Sequence, residues 1–429
     1  MQHLLYASEH YQEFTLAIDE EYKHLFVQEN YNRLFGKQEK DFCFQISNQQ
    51  GVLSINSSYY IGVDWIEKER VALYIEPKLN SENQVNFLSM LIESLEAPEN
   101  IDHLDGLFDV NFEESWIVIP QHKDLLSPLL IAQFLKLLKR IVKKGLKKSY
   151  YTVTKSLNAK VKGKILVSNQ IKKNILQNRK TTNICEYQEY GFNFLENQFL
   201  KTVLSFVKKY LSESDILFSP FQKRQLNEIL DYCMPAFTSV DLLKDKWLEP
   251  KVRNNVFFRD YKDAVRIGGF ILKKFSYNIN KLSATSSLTP PFWIDMSRLF
   301  ELYVFGKLRT LFPTRNDLTY HDRYRGGKET DILIRAKNFE GVVDCKYKPR
   351  YLKNDPSLED KRQLAGYTRL KSVYEKLNKT HNEVINGLII FSSQECEQQF
   401  EHGDLYSIPI NEYIGFFKLG IALPELEKR

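Results

Sequence analysis

The sequence predicts an α+β chain of several domains: a β-rich N-terminal module over residues 1–120, a basic helical region over 121–250, and a C-terminal α/β domain over 251–429 with a mixed central sheet flanked by helices. Three observations predict it. Short β-branched and aromatic runs between acidic loops fill the first stretch, apolar residues recur at helical spacing in the second, and in the third helical patterns alternate with short apolar strands. At 429 residues the chain is long for one core, while 43% hydrophobic and 13% aromatic residues supply a substantial interior and exclude a disordered chain.

In the first stretch, Phe42–Ile46, Val52–Ile55, Tyr59–Trp65 and Val71–Ile75 read as strands. In the second, Pro128–Lys148 reads as an amphipathic helix with Leu130, Phe134, Leu138 and Ile141 inward and lysines outward, and Phe194–Tyr210 and Lys223–Met234 read as two more helices. Ser156–Thr182 reads as a basic linker between the first two. The net charge of +6 is unevenly spread: no acidic residue lies between Asp124 and Glu186, whereas Lys136–Lys180 holds fifteen lysines and arginines. Such segregation fits a polyanion, with Lys172, Lys173, Arg179 and Lys180 as candidate DNA-phosphate contacts that position a duplex without reading its sequence. A solvated or partner-facing surface is the alternative reading, and a membrane-surface helix is a weaker third without any other lipid signal.

Five scattered cysteines (Cys43, Cys185, Cys233, Cys345, Cys396) without a C-x-x-C spacing argue against a disulfide framework or zinc knuckle and fit a reducing compartment. The first residues carry no basic region followed by an apolar core, and the longest apolar stretch, Leu125–Leu135, is too short to cross a bilayer. A soluble, cytoplasmic protein is expected.

The third stretch carries the chemistry. Ser286–Pro291 reads as a polar, proline-marked turn, and Asp295–Phe312 as a helix with Met296, Leu299, Phe300, Tyr303, Val304, Leu308 and Leu311 at helical spacing and Glu301 among them. Asp331-Ile332-Leu333-Ile334 and Gly341-Val342-Val343-Asp344-Cys345-Lys346-Tyr347 read as two strands, joined by the short polar segment Arg335–Glu340 as a hairpin. Side chains two apart share a face, so Asp344 and Lys346 project together, Val343 and Cys345 turn to the packed face, and Asp331 can lie beside Asp344. Asp360–Leu377 reads as a helix with Gln363 and Tyr367 one turn apart, and Gly387–Phe391 as a third strand. His321 reads as a loop residue.

Two carboxylates that close repel, and without a cation one tends to hold a proton, so the pair makes better sense around Mg²⁺ or Mn²⁺. Such ions polarise a scissile phosphate, activate a water and neutralise the leaving oxygen; Lys346 would orient or deprotonate that water, and the Cys345 carbonyl is a further candidate ligand. An acid-x-Lys triplet alone is weak evidence, since Glu76-Pro77-Lys78 and Glu249-Pro250-Lys251 also occur. Bland readings stand beside each assignment: a solvated strand face with an ion pair for Asp344 and Lys346, a pair with Arg298 for Glu301, and a helix-surface pair for Gln363 and Tyr367. The loop bearing Arg323, Arg325 and Lys328 is placed to touch phosphates just ahead of Asp331. Gly326-Gly327-Lys328-Glu329 is no nucleotide loop, because Asp322 stands where the earlier glycine belongs and Glu329 replaces the hydroxyl residue.

Helix with Glu301, strand with Asp331, strand with Asp344-x-Lys346, helix with Gln363-x-x-x-Tyr367, strand: this order resembles the PD-(D/E)xK nuclease superfamily, and more closely the McrC family of restriction nuclease subunits. Met296-Ser297-Arg298-Leu299-Phe300-Glu301, Gly145-Leu146-Lys147-Lys148-Ser149-Tyr150, Val161-Lys162-Gly163-Lys164-Ile165 and Ile75-Glu76-Pro77-Lys78-Leu79 are similar to that family's other segments. Thr330 departs from the pattern, which usually has proline there; proline would shape the strand entry and carry no chemistry. The resemblance implies a PD-(D/E)xK nuclease core, a metal-dependent endonuclease acting on double-stranded DNA, and catalysis by Lys346, Asp344 and Asp331 with Glu301, Gln363 and Tyr367 in support. It implies metal binding by Asp331, Asp344, Glu301 and Cys345. It also implies an McrB-like AAA+ NTPase hexamer as partner, with GTP hydrolysed only by that partner and the N-terminal module as docking element. An inactive scaffold that binds DNA and stimulates the partner, or a stand-alone repair nuclease, are the rival expectations.

Overall fold

The computed structural model describes residues 2–9, 14–15, 30–35, 42–49, 52–77, 85–104, 106–213, 218–243, 250, 259–279, 286–323, 329–348 and 351–425. Lys78, Leu79, Arg325 and Lys328 of the sequence motifs lie outside these. The chain is mixed α and β, with several separate sheets, and divides into two units: residues 1–129 with 283–429, and residues 130–282.

In the first unit a six-stranded mixed sheet is built from β1 (Leu318–Arg323), β2 (Glu329–Ala336), β3 (Phe339–Lys346), β4 (Asn386–Ser392), β5 (Ile408–Pro409) and β6 (Phe416–Ile421), in the order β1-β2-β3-β4-β6-β5. The first three strands are antiparallel neighbours, while β3, β4 and β6 run parallel. The hairpin expected over Arg335–Glu340 is tighter than that segment, with Ala336 opposite Phe339 and only Lys337 and Asn338 at its tip. Strands β3 and β4 approach closely because Gly341 faces Asn386: a Cβ there would stand 2.2 Å from the Asn386 carbonyl oxygen. Leu333, Val342, Ile389 and Phe391 are buried against Leu364, Val373, Tyr374 and Leu377, each contributing about 1.5–3 kcal/mol on full burial.

Those last four residues lie on two helices, α2 (Leu358–Thr368) and α3 (Lys371–Leu377), where the sequence suggested one. Leu370 takes an extended conformation (φ −71°, ψ 126°) that ends the first hydrogen-bond ladder and re-aims the next turn at the core. Helix α1 (Met296–Leu311) holds the expected Glu301 register, capped by the Asp295 carboxylate, which accepts from the Arg298 N–H at 3.0 Å.

The same unit contains a five-stranded sheet in the order His3–Ser8, Val71–Glu76, Tyr60–Glu67, Phe292–Asp295, Phe108–Val110, and a four-stranded sheet that includes Phe42–Gln49 and Val52–Ser57. Leu73, Ile75, Phe44, Ile55 and Trp293 are buried together. The strands expected in the first stretch are present, and Phe292–Asp295 from the C-terminal stretch pairs between Tyr60–Glu67 and Phe108–Val110 of the five-stranded sheet. The turn expected over Ser286–Pro291 is instead largely a strand, Ser286–Thr289, paired antiparallel with Ile117–Pro120.

In the second unit the helices Leu195–Glu213, Pro220–Cys233 and Arg259–Ile279 bury an apolar stripe that includes Phe199, Val203, Val207, Leu226 and Ile271. The helix expected over Pro128–Lys148 spans Leu126–Lys144 and stops at Gly145, whose φ of +91° suits a left-handed helix end. The expected linker over Ser156–Thr182 is corrected as well. Strand Ser149–Asn158 pairs along its whole length with Thr182–Gly191, and Lys164–Ile165 adds a third strand. Here Arg140 and Lys144 pair with the buried Asp260, and Lys147 with Glu196, so part of the basic run is neutralised inside the unit.

Candidate active site

Strand periodicity and hairpin length bring the predicted acids together. Ile332 pairs with Val343, so the antiparallel alternation sets Asp331 opposite Asp344 on one face, with Lys346 two residues on. The paired register ends there. In place of a further backbone bond, the Cys345 N–H donates to Asp331 Oδ2 at 2.7 Å.

Asp344 is fully buried, which overturns the solvated-face reading. The Lys346 ammonium lies 3.0 Å from its Oδ2, yet neither carboxylate oxygen accepts a well-directed hydrogen bond. Burial raises the Asp344 pKa, against the opposing pull of Lys346. Asp331 is raised well above the usual carboxylate range by burial, then by the charges of Glu301 and Asp344. For Lys346, burial works against the charged form, but Asp344, Asp331 and Asp360 outweigh it and hold the amine as an ammonium. The lysine is here a hydrogen-bond donor.

Lys346 Nζ also donates to Gln363 Oε1 at 2.9 Å, and Gln363 Nε2 donates to the Tyr367 hydroxyl at 2.9 Å. The two residues from α2 are thus a pair on the helix and also a relay to the lysine. Burial, then Asp344 and Asp331, raise the Tyr367 pKa, as expected of a phenol facing that acidic cluster.

Glu301 does not pair with Arg298, which donates to the His103 carbonyl at 3.1 Å. Its Oε2 accepts from the Tyr320 hydroxyl at 3.1 Å and meets His321 Nε2 at 2.8 Å. His321 is therefore no loop residue: it sits within β1 at φ +48°, with Nδ1 3.3 Å from Glu329. The Cys345 thiol faces inward, and burial followed by Asp331 raises its pKa well above normal, so its side chain is inert.

Two residues of the site escaped the sequence. His321 is one. The other is Asp360, 4% exposed, in the first turn of α2; its Oδ1 lies 3.7 Å from Lys346 Nζ. It accepts from the Tyr351 hydroxyl, from Ser357 Oγ at 2.9 Å and from Lys348 at 3.1 Å. These partners and the charge of Lys346 outweigh burial and lower its pKa. Its position one turn before Gln363 was the available signal.

Of the proposed DNA contacts, Arg323 closes β1. Lys172 and Lys173 are exposed on a π-helical turn, Ile171–Ile175, and Arg179 and Lys180 are exposed nearby in sequence, all in the unit 130–282. Among the described residues no three His, Cys, Asp or Glu side chains are gathered so as to hold a metal ion. The acid pair nonetheless fits a hard cation: two facing carboxylates with raised pKa values, one of them fully buried, share the single ammonium of Lys346 and are hard oxygen donors.

Residues 55–377 match the family model described as McrBC 5-methylcytosine restriction system component. The chain belongs to this McrBC family. No curated protein matches it. Among solved structures it is similar to a chain of a half-complex of Thermococcus gammatolerans McrB AAA+ hexamers with bound McrC, at 17% identity and TM-score 0.40 over 98% of this chain and 94% of that one. It is also similar to a chain of the cryo-EM structure of the Thermococcus gammatolerans McrBC complex, at 16% identity and TM-score 0.30 over 75% of this chain and 89% of that one. No described helix of this McrBC family member is long and apolar enough to cross a bilayer.

Proposed function

We propose that this McrBC family member is the DNA-cutting subunit of its restriction system, a PD-(D/E)xK-type Mg²⁺- or Mn²⁺-dependent endonuclease coupled to a separate AAA+ partner that hydrolyses GTP. The observation that carries this reading is the register of β2 and β3, which faces Asp331 with Asp344 and sets Lys346 on the same side.

Asp331 and Asp344 would hold the ion, with the Cys345 carbonyl as a further ligand, and the ion would supply Lewis-acid activation of water and phosphate; the expected ligand Glu301 is engaged by Tyr320 and His321 and is not gathered with them. Mg²⁺ commonly keeps several waters and takes only one or two carboxylates, so the absence of a third gathered acid among the described residues is compatible with it. Lys346 would orient or deprotonate the attacking water and is steadied by Gln363 and Tyr367. Arg323, Arg325 and Lys328, and separately Lys172, Lys173, Arg179 and Lys180, are proposed to contact DNA phosphates. The partner follows from membership of a multi-component system, with the N-terminal module as its docking element.

The test is cleavage of duplex DNA by the chain with its partner, nucleotide and Mg²⁺. Lys346→Ala should abolish cutting while leaving assembly and partner hydrolysis intact; normal cutting by that variant sinks the assignment. The internal pairing of Lys346 with Asp344 is the observation that favours an inactive scaffold, and that reading wins if the wild-type complex assembles, hydrolyses nucleotide and never cuts.

A further inference from the structure

Lys346 is within ion-pair reach of two acids. Its ammonium is 3.0 Å from Asp344 Oδ2, 3.7 Å from Asp360 Oδ1 and 2.9 Å from Gln363 Oε1. The two acids differ in how they are held. Asp344 is buried without a directed hydrogen bond to either oxygen, whereas Asp360 is fixed by Tyr351, Ser357 and Lys348. A divalent ion on Asp344 would repel an ammonium so close by, and a buried ammonium left without a counter-ion is costly.

We propose that Asp360 is a positioning residue that gives the Lys346 ammonium a second seat, drawing it off Asp344 so that this carboxylate is free to take a divalent cation. The inference rests on the reading of Asp331 and Asp344 as a cation-binding pair. Only the flexible lysine moves; Asp360 and Gln363 stay where α2 sets them. Charge thus stays paired with or without the ion, and the lysine remains beside it, ready to contact a phosphate.

The test is Mn²⁺ titration of the full chain without partner or DNA, followed by electron paramagnetic resonance or calorimetry. Asp360→Asn should weaken Mn²⁺ binding by about 10- to 100-fold, the range seen when partners behind metal ligands are removed. In a Lys346→Met background, where no ammonium competes, Asp360→Asn should change little. Equal weakening in both backgrounds would mean that Asp360 acts only through its charge or through the fold, and overturns the proposal; so does no weakening in the lysine-bearing chain. Should Asp360→Asn fail to fold, Lys348→Met decides. It leaves Lys346 as the one ammonium at Asp360 among the described residues and should tighten Mn²⁺ binding, a gain that disappears with Lys346→Met, and no gain overturns the proposal. If wild-type chain binds no Mn²⁺, or binds it equally after Asp331→Asn and Asp344→Asn, the cation-pair reading itself fails.

Discussion

Without divalent ions, the stability of the unit containing the acid pair should fall as pH rises from the ordinary carboxylate range. Asp331 has a raised pKa, so the folded chain keeps a proton that the unfolded chain has already released. More protons bound in the folded state means that unfolding free energy decreases with pH, by about 1.4 kcal/mol per pH unit for each retained proton. The facing acids share their charge burden, so about one extra proton is expected and a fall of about 1.4 kcal/mol per unit, beginning near pH 4 and ending at the folded pKa of the pair. Asp360 works in the opposite sense: its lowered pKa gives stability that is lost as pH falls, below this window. Subtracting an Asp331→Asn variant removes Asp360 and every other shared group. The assay is urea unfolding in chelator across pH, wild type minus variant. Saturating Mn²⁺ should abolish the slope, because the ion binds the ionised pair. A difference independent of pH would refute the raised acid pair.

Gly341→Ala should destabilise the β3–β4 pairing by about 1–3 kcal/mol, the usual cost of overpacking, because its methyl would stand 2.2 Å from the Asn386 carbonyl oxygen; an unchanged urea midpoint would disprove the close approach. Reversing the charges of Lys172, Lys173, Arg179 and Lys180 should weaken DNA retention and flatten its salt dependence, by a slope of about 0.9 for each phosphate no longer neutralised; an unaltered slope would assign that surface to a protein partner.

What could be read in the sequence was local. Asp331, Asp344 and Lys346 were legible because alternation along a strand and the length of one hairpin fix their register within sixteen positions. The Gln363–Tyr367 pair needed only one helical turn. Strand Ser286–Thr289 was not legible, because its partner, Ile117–Pro120, is remote in sequence. Lysine-rich composition hid the pairing of Ser149–Asn158 with Thr182–Gly191. Asp360 looked like an ordinary acid in a first helical turn, where the helix dipole alone favours one. His321 was missed because a left-handed residue inside a strand leaves no periodic mark.

The energetic cost of this arrangement argues for chemistry rather than architecture. Replacing buried ion pairs with well-packed apolar residues of similar volume is often neutral or stabilising, so a purely structural strand would do no worse with apolar residues in place of both Asp344 and its partner Lys346. Instead β3 carries a fully buried acid, faced by a second acid whose proton affinity it raises, with one lysine shared between them. The pair lies near the carboxyl end of a strand with an antiparallel neighbour on one side and a parallel neighbour on the other. There the ladder to β2 has ended, and a side chain accepts the next backbone N–H. In open α/β sheets, ligands bind in the crevice outside the carboxyl ends of the strands. An element that costs stability at a place where ligands bind is best explained by what it binds.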